Sequence, residues 1–349
     1  MTVAERTETF AVGQASPIGG DGGPLVNRTG ASAAGFIAAA GASRDPGRPP
    51  MRRPVHTLAP ADAGAVEILA LGDPRAADPA LTGGKAASLS RLAAGHRVPP
   101  GFVVALPGAT LERGARAAVL AAYRRLGERC GVADPPVAVR SSAVDEDGAD
   151  ASFAGQHDTF LNVAGADQVW WAIARCLASL AGDRALAYRR RAGLAETPPG
   201  AAVLVQRLVP ADAAGVVFSA HPVTGARDEV VVNAAWGLGE SVVAGTVTPD
   251  AIVVGRDDHA IRAHAVADKR RMTVAVPGGV REVPVPGRLA RMPAVDAAQA
   301  RAAAALAIAL ERETGGPVDL EVAWAGPYLF LLQCRPITTL EPPHRSHHP

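Results

Sequence analysis

Residues 318–336 read Val318-Asp319-Leu320-Glu321-Val322-Ala323-Trp324, then Ala325-Gly326-Pro327, then Tyr328-Leu329-Phe330-Leu331-Leu332-Gln333-Cys334-Arg335-Pro336. Side chains along a strand alternate between its two faces, so Asp319 and Glu321 share one face while Leu320 and Val322 share the other. Gln333 and Arg335 likewise share a face, with Cys334 opposed. The Gly-Pro pair between the two runs is turn chemistry, and the stretch predicts a hairpin of strands Val318–Trp324 and Tyr328–Gln333. Paired in this way, a carboxylate, an amide oxygen and a guanidinium converge, a set suited to magnesium and a transferring phosphoryl group. By spacing alone they are also polar residues on an exposed sheet face.

Working outward, an Ala-rich helix over Val295 to Glu313 precedes the hairpin. Before it lie β runs at Ala202–Val209, Gly215–Phe218, Glu229–Ala235, Ala251–Val254 and Ala260–Val266, punctuated by Gly, Pro, Asp and Thr. Upstream of Pro198-Pro199-Gly200 the pattern is mixed: strands at Val66–Leu71, Phe102–Leu106 and Val137–Arg140, and helices at Lys85–Ala94, 109–129 and Asp167–Arg191. In the last helix Trp170, Ile173, Ala174, Leu177 and Leu180 form one stripe, and Trp170 and Trp171 are expected in the core. The resulting expectation is an α/β fold with segments 1–62, 63–200, 201–341 and a tail, 342–349.

Residues 1–62 are rich in Ala, Gly, Pro, Ser and Arg without periodicity, which predicts a disordered segment. No apolar run reaches the roughly 18 residues of a membrane span. The formal net charge is +1 with both signs interspersed, so there is no basic stripe for nucleic acid. Three well-separated cysteines, Cys130, Cys176 and Cys334, fit neither a disulfide framework nor a zinc site and point to a reducing, cytoplasmic setting.

Several segments offer chemistry. Leu81-Thr82-Gly83-Gly84-Lys85-Ala86 fails the Walker pattern at Pro79 and Ala86, yet a Gly pair and a cation at a helix start can hold a phosphate, as against an ordinary surface lysine. Trp236-Gly237-Leu238-Gly239-Glu240 fails the dinucleotide fingerprint at Val242. Val139-Arg140-Ser141-Ser142 puts a guanidinium and two hydroxyls at a strand's carboxyl edge, where α/β ligands collect; the alternative is an ion pair with Asp145, Glu146 or Asp147. Ala151 to Thr159 supplies small residues, Gly155, Gln156 and the Thr159 hydroxyl for close approach to an anion, or is a plain surface loop.

In order, the blocks GGKAASL (83–89), VPPGFVV (98–104), VAVRSSA (137–143), ASFAGQHDTFLNV (151–163), DRALAYR (183–189), GVVFS (215–219), AAWGLGESVVAGTVTPD (234–250), DLEVAW (319–324) and LFLLQCRP (329–336) resemble the ATP-grasp nucleotide-binding domain of the phosphoenolpyruvate synthase, pyruvate phosphate dikinase and rifampicin phosphotransferase families. The resemblance runs from about residue 81 to 339 and implies a two-lobed ATP-grasp fold with mixed sheets. It implies that Lys85 and Arg140 hold ATP phosphates, that the loop Gly155, Gln156 to Thr159 closes over them, and that Gln206 and the backbone near Leu208 meet adenine. It also implies that Glu321 and Gln333 ligate Mg2+ and that Arg335 steadies the transferred phosphoryl group; Lys269 falls in a family-like position and is counted among the nucleotide-binding residues, with no specific role assigned.

Members of these families pass phosphate from ATP to a histidine on a swivelling domain. No such domain is recognisable here, so the expected partner is a separate phosphohistidine-domain protein. The competing expectations are a regulatory ATP-binding module without turnover and the ATP-binding half of an antibiotic phosphotransferase. The stretch between Phe102 and Val137 is shorter than in the resembling families, which makes the first lobe abridged.

Overall fold

A computed structural model describes residues 66–106, 111, 114–142, 159–180, 190 and 200–337. The predicted disordered segment, the tail, Gly155, Gln156 and the acidic trio Asp145, Glu146 and Asp147 lie outside the described residues.

Five strands, β1 (Glu67–Ala70), β2 (Gly101–Leu106), β3 (Val137–Ser141), β4 (Thr159–Val163) and β5 (Ala201–Arg207), form a first sheet in the order β1-β2-β5-β3-β4. The second has six: β6 (Ala213–Phe218), β7 (Glu229–Trp236), β8 (Asp250–Gly255), β9 (Ile261–Ala265), β12 (Val318–Ala325) and β13 (Tyr328–Pro336), ordered β13-β12-β6-β7-β8-β9. A separate hairpin joins β10 (Arg271–Val276) to β11 (Gly279–Pro284).

Two expectations need correction. Among the described residues, pairing between named strands is antiparallel throughout, with one isolated parallel bridge between Gly237 and Thr273, so the sheets as described are not mixed. The boundary at residue 200 also falls in the wrong place, because β5 pairs with β2 on one side and β3 on the other. Ala201 to Gln206 is buried without a break, and such a run is satisfied only at the centre of a covered sheet. The first lobe therefore continues past Pro198-Pro199-Gly200 in the sequence.

The first sheet is covered on one face by α2 (Ala115–Cys130) and α3 (Ala166–Leu180). Val119, Tyr123 and Leu126 of α2 and Val169, Ile173 and Cys176 of α3 enclose Val137 and Val139 of β3 with Phe102 and Val104 of β2. Trp170 packs against this cluster as expected, but Trp171 is exposed, its ring edge-on to Phe160 and under the Arg175 guanidinium. It lies one residue, or about 100°, off the apolar stripe.

The opposite face receives α1 (Pro79–Leu92), whose Ala86, Leu89 and Leu92 join Val103 and Leu204 to the core of the second sheet. That core is closed by α6 (Ala297–Thr314) through Ala300, Ala303, Ala304, Ala307 and Ile308. Asp296 and Gln299 cap α6 reciprocally, and Gly315 ends it in the left-handed region at φ 81°. One continuous cluster therefore runs from the first sheet through α1 into the second, and the two lobes share a core where the candidate site is built. Between β7 and β12 lie two one-turn helices, α4 (Glu240–Val243) and α5 (Gly287–Ala290). Among the described residues no helix is long and apolar enough to cross a membrane.

Candidate functional site

Alternation along β3 decides which way Arg140 faces. Val137 and Val139 point into the α2/α3 cluster, which turns Ala138, Arg140 and, just past the strand, Ser142 toward α1 and the second sheet. Arg140 meets no described acidic neighbour in its own lobe. Its Nη1 donates to Glu321 Oε2 at 3.2 Å, with both side chains largely buried, at 17% and 18% exposure. The Arg140 Nε is buried with no hydrogen-bond partner. Thus two candidate residues 181 positions apart meet across the lobe junction.

The hairpin supplies the other wall, and a bulge decides its geometry. From the turn, Ala325 pairs with Tyr328, Trp324 with Leu329, Ala323 with Phe330 and Val322 with Leu331; then the register slips, and Glu321 pairs with Gln333, Leu320 with Cys334 and Asp319 with Arg335. Leu332 is the extra residue. Without the slip Glu321 would oppose Leu332, and Gln333 would face the buried Leu320 side. The bulge flips Gln333 and Arg335 onto the face of Glu321 and Asp319, the re-aiming that bulges perform beside functional sites. Arg335 Nε donates to both carboxylate oxygens of Asp319, at 2.7 and 2.8 Å.

Glu321 and Gln333 thus stand directly opposite one another, a carboxylate beside a nearly buried amide. No group of three or more His, Cys, Asp or Glu that could hold a metal occurs among the described residues. Two hard oxygen donors are nonetheless the kind of set that suits magnesium, which keeps water and phosphate oxygens for its remaining positions. On the reverse face, burial pushes the Cys334 thiol up to about 12, with the Asp319 charge adding to the effect; this cysteine is structural.

Lys85 sits on α1, which is broken at Gly83 (φ 73°, ψ 166°) and restarts just before the lysine, so the expected position near a helix start holds. The helix is fastened to the second lobe by Ser88 Oγ, which donates to the Cys334 carbonyl at 2.9 Å. Gln206 lies on the cleft-facing side of β5, buried, with its Nε2 donating to the Pro99 carbonyl at 3.2 Å. The Leu208 N–H already donates to the Pro136 carbonyl at 2.9 Å, so a base at this segment would have to use its other backbone groups.

Two candidates are placed differently from the expectation. Thr159 is the first residue of β4, opposite Arg140 in the ladder, and not part of a loop. Lys269 is fully buried: its ammonium pairs with Asp250 and donates to the Ala267 carbonyl at 3.0 Å, while Asp250 also accepts from Ala267 N at 2.8 Å and Ala294 N at 2.7 Å. A lysine whose side chain has no exposed surface and whose ammonium is already paired is committed to the packing of the second lobe. Asp250 and Asp319, the partners of Lys269 and Arg335, were absent from the expected set; Asp319 was visible only as a same-face neighbour of Glu321.

Two antiparallel sheets thus meet over α1, with Arg140 of the first facing a carboxylate, an amide and a guanidinium of the second, and Lys85 on the helix between them. The sequence model of the family "Pyruvate phosphate dikinase, AMP/ATP-binding domain" matches residues 105–348, and the chain belongs to that family. The match begins after α1, so Lys85 lies ahead of it. Among curated relatives, a probable phosphoenolpyruvate synthase of Methanocaldococcus jannaschii is 40% identical over 227 residues, 65% of this chain and 19% of its own length. A rifampicin phosphotransferase of a Streptomyces species is 43% identical over 227 residues, 65% and 25% of the two chains. A probable phosphoenolpyruvate synthase of Methanothermobacter thermautotrophicus is 32% identical over 328 residues, 82% and 48%. The matched part spans between about a fifth and a half of these relatives' lengths.

Proposed function

We propose that the chain is the ATP-using module of a phosphotransferase and passes a phosphoryl group from ATP to a histidine on a partner domain or chain. The observation that carries this reading is the meeting of Arg140 with Glu321 at 3.2 Å, on the face that the bulge also gives to Gln333 and Arg335. Membership of an AMP/ATP-binding family, and relatives named phosphoenolpyruvate synthase and rifampicin phosphotransferase, support it.

In this reading Lys85 and Arg140 bind and orient the nucleotide phosphates, the backbone around Gln206 and Leu208 borders the base, and Arg335, steered by Asp319, offsets charge on the phosphoryl group as it moves. Magnesium, held by Glu321 and Gln333, would supply charge neutralisation at the phosphate oxygens. The bond that breaks joins the transferred phosphorus to a bridging oxygen, whose electron pair leaves with the nucleotide. The bond that forms joins that phosphorus to an imidazole nitrogen. The three cysteines, none of them in a disulfide, support a reducing, cytoplasmic setting.

The test incubates the purified chain with magnesium and ATP labelled at the β or the γ phosphate, together with a phosphohistidine-domain protein from a related enzyme. Label on the acceptor, lost in Arg335→Ala while ATP affinity stays comparatively intact, is the expected result. ATP binding with no transfer would overturn the enzymatic reading in favour of a binding module, and undiminished transfer by Arg335→Ala would overturn the site.

A further inference from the structure

Ser142 stands two residues beyond Arg140 on the same side of the chain and is completely buried, with no exposed surface. Its hydroxyl donates to the Thr82 carbonyl at 2.7 Å and accepts from the Ala86 N–H at 3.1 Å. These are the two ends of the break in α1, and Lys85 lies between them. Both bonds connect positions 56 to 60 residues apart in sequence. Ser142 is itself fixed, since its N–H donates to the Ala202 carbonyl of β5 at 2.8 Å. The approach is closed from the other side as well: a Cβ at Gly83 would stand 2.2 Å from the Ser142 carbonyl oxygen, and Gly83 has a φ of +73°. Only glycine allows both the conformation and the contact.

A hydroxyl carries one donor and two acceptor sites, so one serine satisfies a carbonyl left free at the break and an N–H left free where the helix restarts. The sequence presents Ser142 as one of two hydroxyls beside a ligand-binding arginine; its bonds show instead that it is spent on the backbone of α1. We infer that Ser142 is a positioning residue for Lys85: it sets the restart of α1 against the end of β3, and thereby fixes the spacing of the first lobe's two phosphate-holding cations. The inference rests on the proposed role of Lys85. Its physical basis is that a cation serves a multiply charged phosphate chain only when placed to within about an ångström.

The experiment measures binding of Mg-ATP and of AMP to the full chain by calorimetry, for wild type, Ser142→Ala, Lys85→Met and the double variant. AMP lacks the β and γ phosphates and reports the base and sugar contacts. Ser142→Ala is expected to weaken ATP about tenfold, as loss of one or two hydrogen bonds to a positioned group would, and to leave AMP nearly unchanged. In the Lys85→Met background it should add no further loss, because there is no longer a cation to misplace. Ser142→Thr, which keeps the hydroxyl, should restore ATP binding. An equal loss for ATP and AMP, or a full additional loss in the Lys85→Met background, makes Ser142 merely structural and overturns the inference while leaving the Lys85 role standing. Unchanged ATP binding by Lys85→Met overturns both. Should Ser142→Ala fail to fold, Ser142→Cys, nearly the same size with a weak donor and acceptor, is read against the same outcomes.

Discussion

Replacing Lys269 separates a structural lysine from a ligand-binding one. Both members of the Lys269 and Asp250 pair have fully buried side chains, and Asp250 ties together the backbones of Ala267 and Ala294. Lys269→Met keeps most of the stem volume and removes the charge, leaving a buried carboxylate with only two backbone donors. Breaking a buried pair from one side costs about 3–5 kcal/mol, because the remaining charge is uncompensated. That is a large part of the roughly 5–15 kcal/mol by which a domain is stable. Urea unfolding followed by tryptophan fluorescence should therefore show an unfolding free energy lower by that amount, seen as a midpoint moved to lower urea at unchanged slope. The double variant with Asp250→Asn should recover at least half of the loss, since removing both charges is far less costly than removing one. ATP affinity, measured where the variant is folded, should change little. A stability loss under about 1 kcal/mol together with weakened ATP binding would refute the reasoning and return Lys269 to the nucleotide site.

Two further outcomes follow from the packing. With its thiol pushed up to about 12 by burial, Cys334 carries almost no thiolate at pH 8; a disulfide reagent should modify the half-buried Cys130 in the native protein, spare Cys334 and the buried Cys176, and reach all three only in denaturant, as mass spectrometry of labelled peptides would record. Asp296→Ala removes the side-chain acceptor of a 2.8 Å cap bond from Gln299 N and leaves only the reciprocal bond, from the backbone N–H of residue 296 to Gln299 Oε1 at 2.9 Å, so thermal or urea unfolding should register a loss of about 1 kcal/mol.

Much of the layout of the candidate site was legible in the sequence because its signals are local. Period-two alternation put Asp319 with Glu321 and Gln333 with Arg335, and the structure keeps each pair on one face. The apolar strand ending in Arg140, and the glycines before Lys85, told which residue types stood at element ends. What stayed hidden depends on long-range pairing. An extra residue in a strand leaves no mark in an alternation that reads equally well in either register, so the bulge at Leu332 was invisible although it decides whether Glu321 meets Gln333. Trp171 was misplaced by a single step around a helix.

By itself, then, the sequence determined the α/β class and most of the elements, because hydrophobic period and turn residues act over a few positions; the roles proposed for the candidate cations, carboxylate and amide came from the resemblance of ordered blocks to a family. Tertiary structure alone decided that β5 closes the first sheet, that Lys269 is buried against Asp250, that Arg140 pairs with Glu321 of the other lobe, and that Ser142 is committed to the backbone of α1. Each of these is a choice of partner between groups some 19 to 181 residues apart. Such choices are settled by which buried polar group can be satisfied once the core has closed, and no local pattern encodes that.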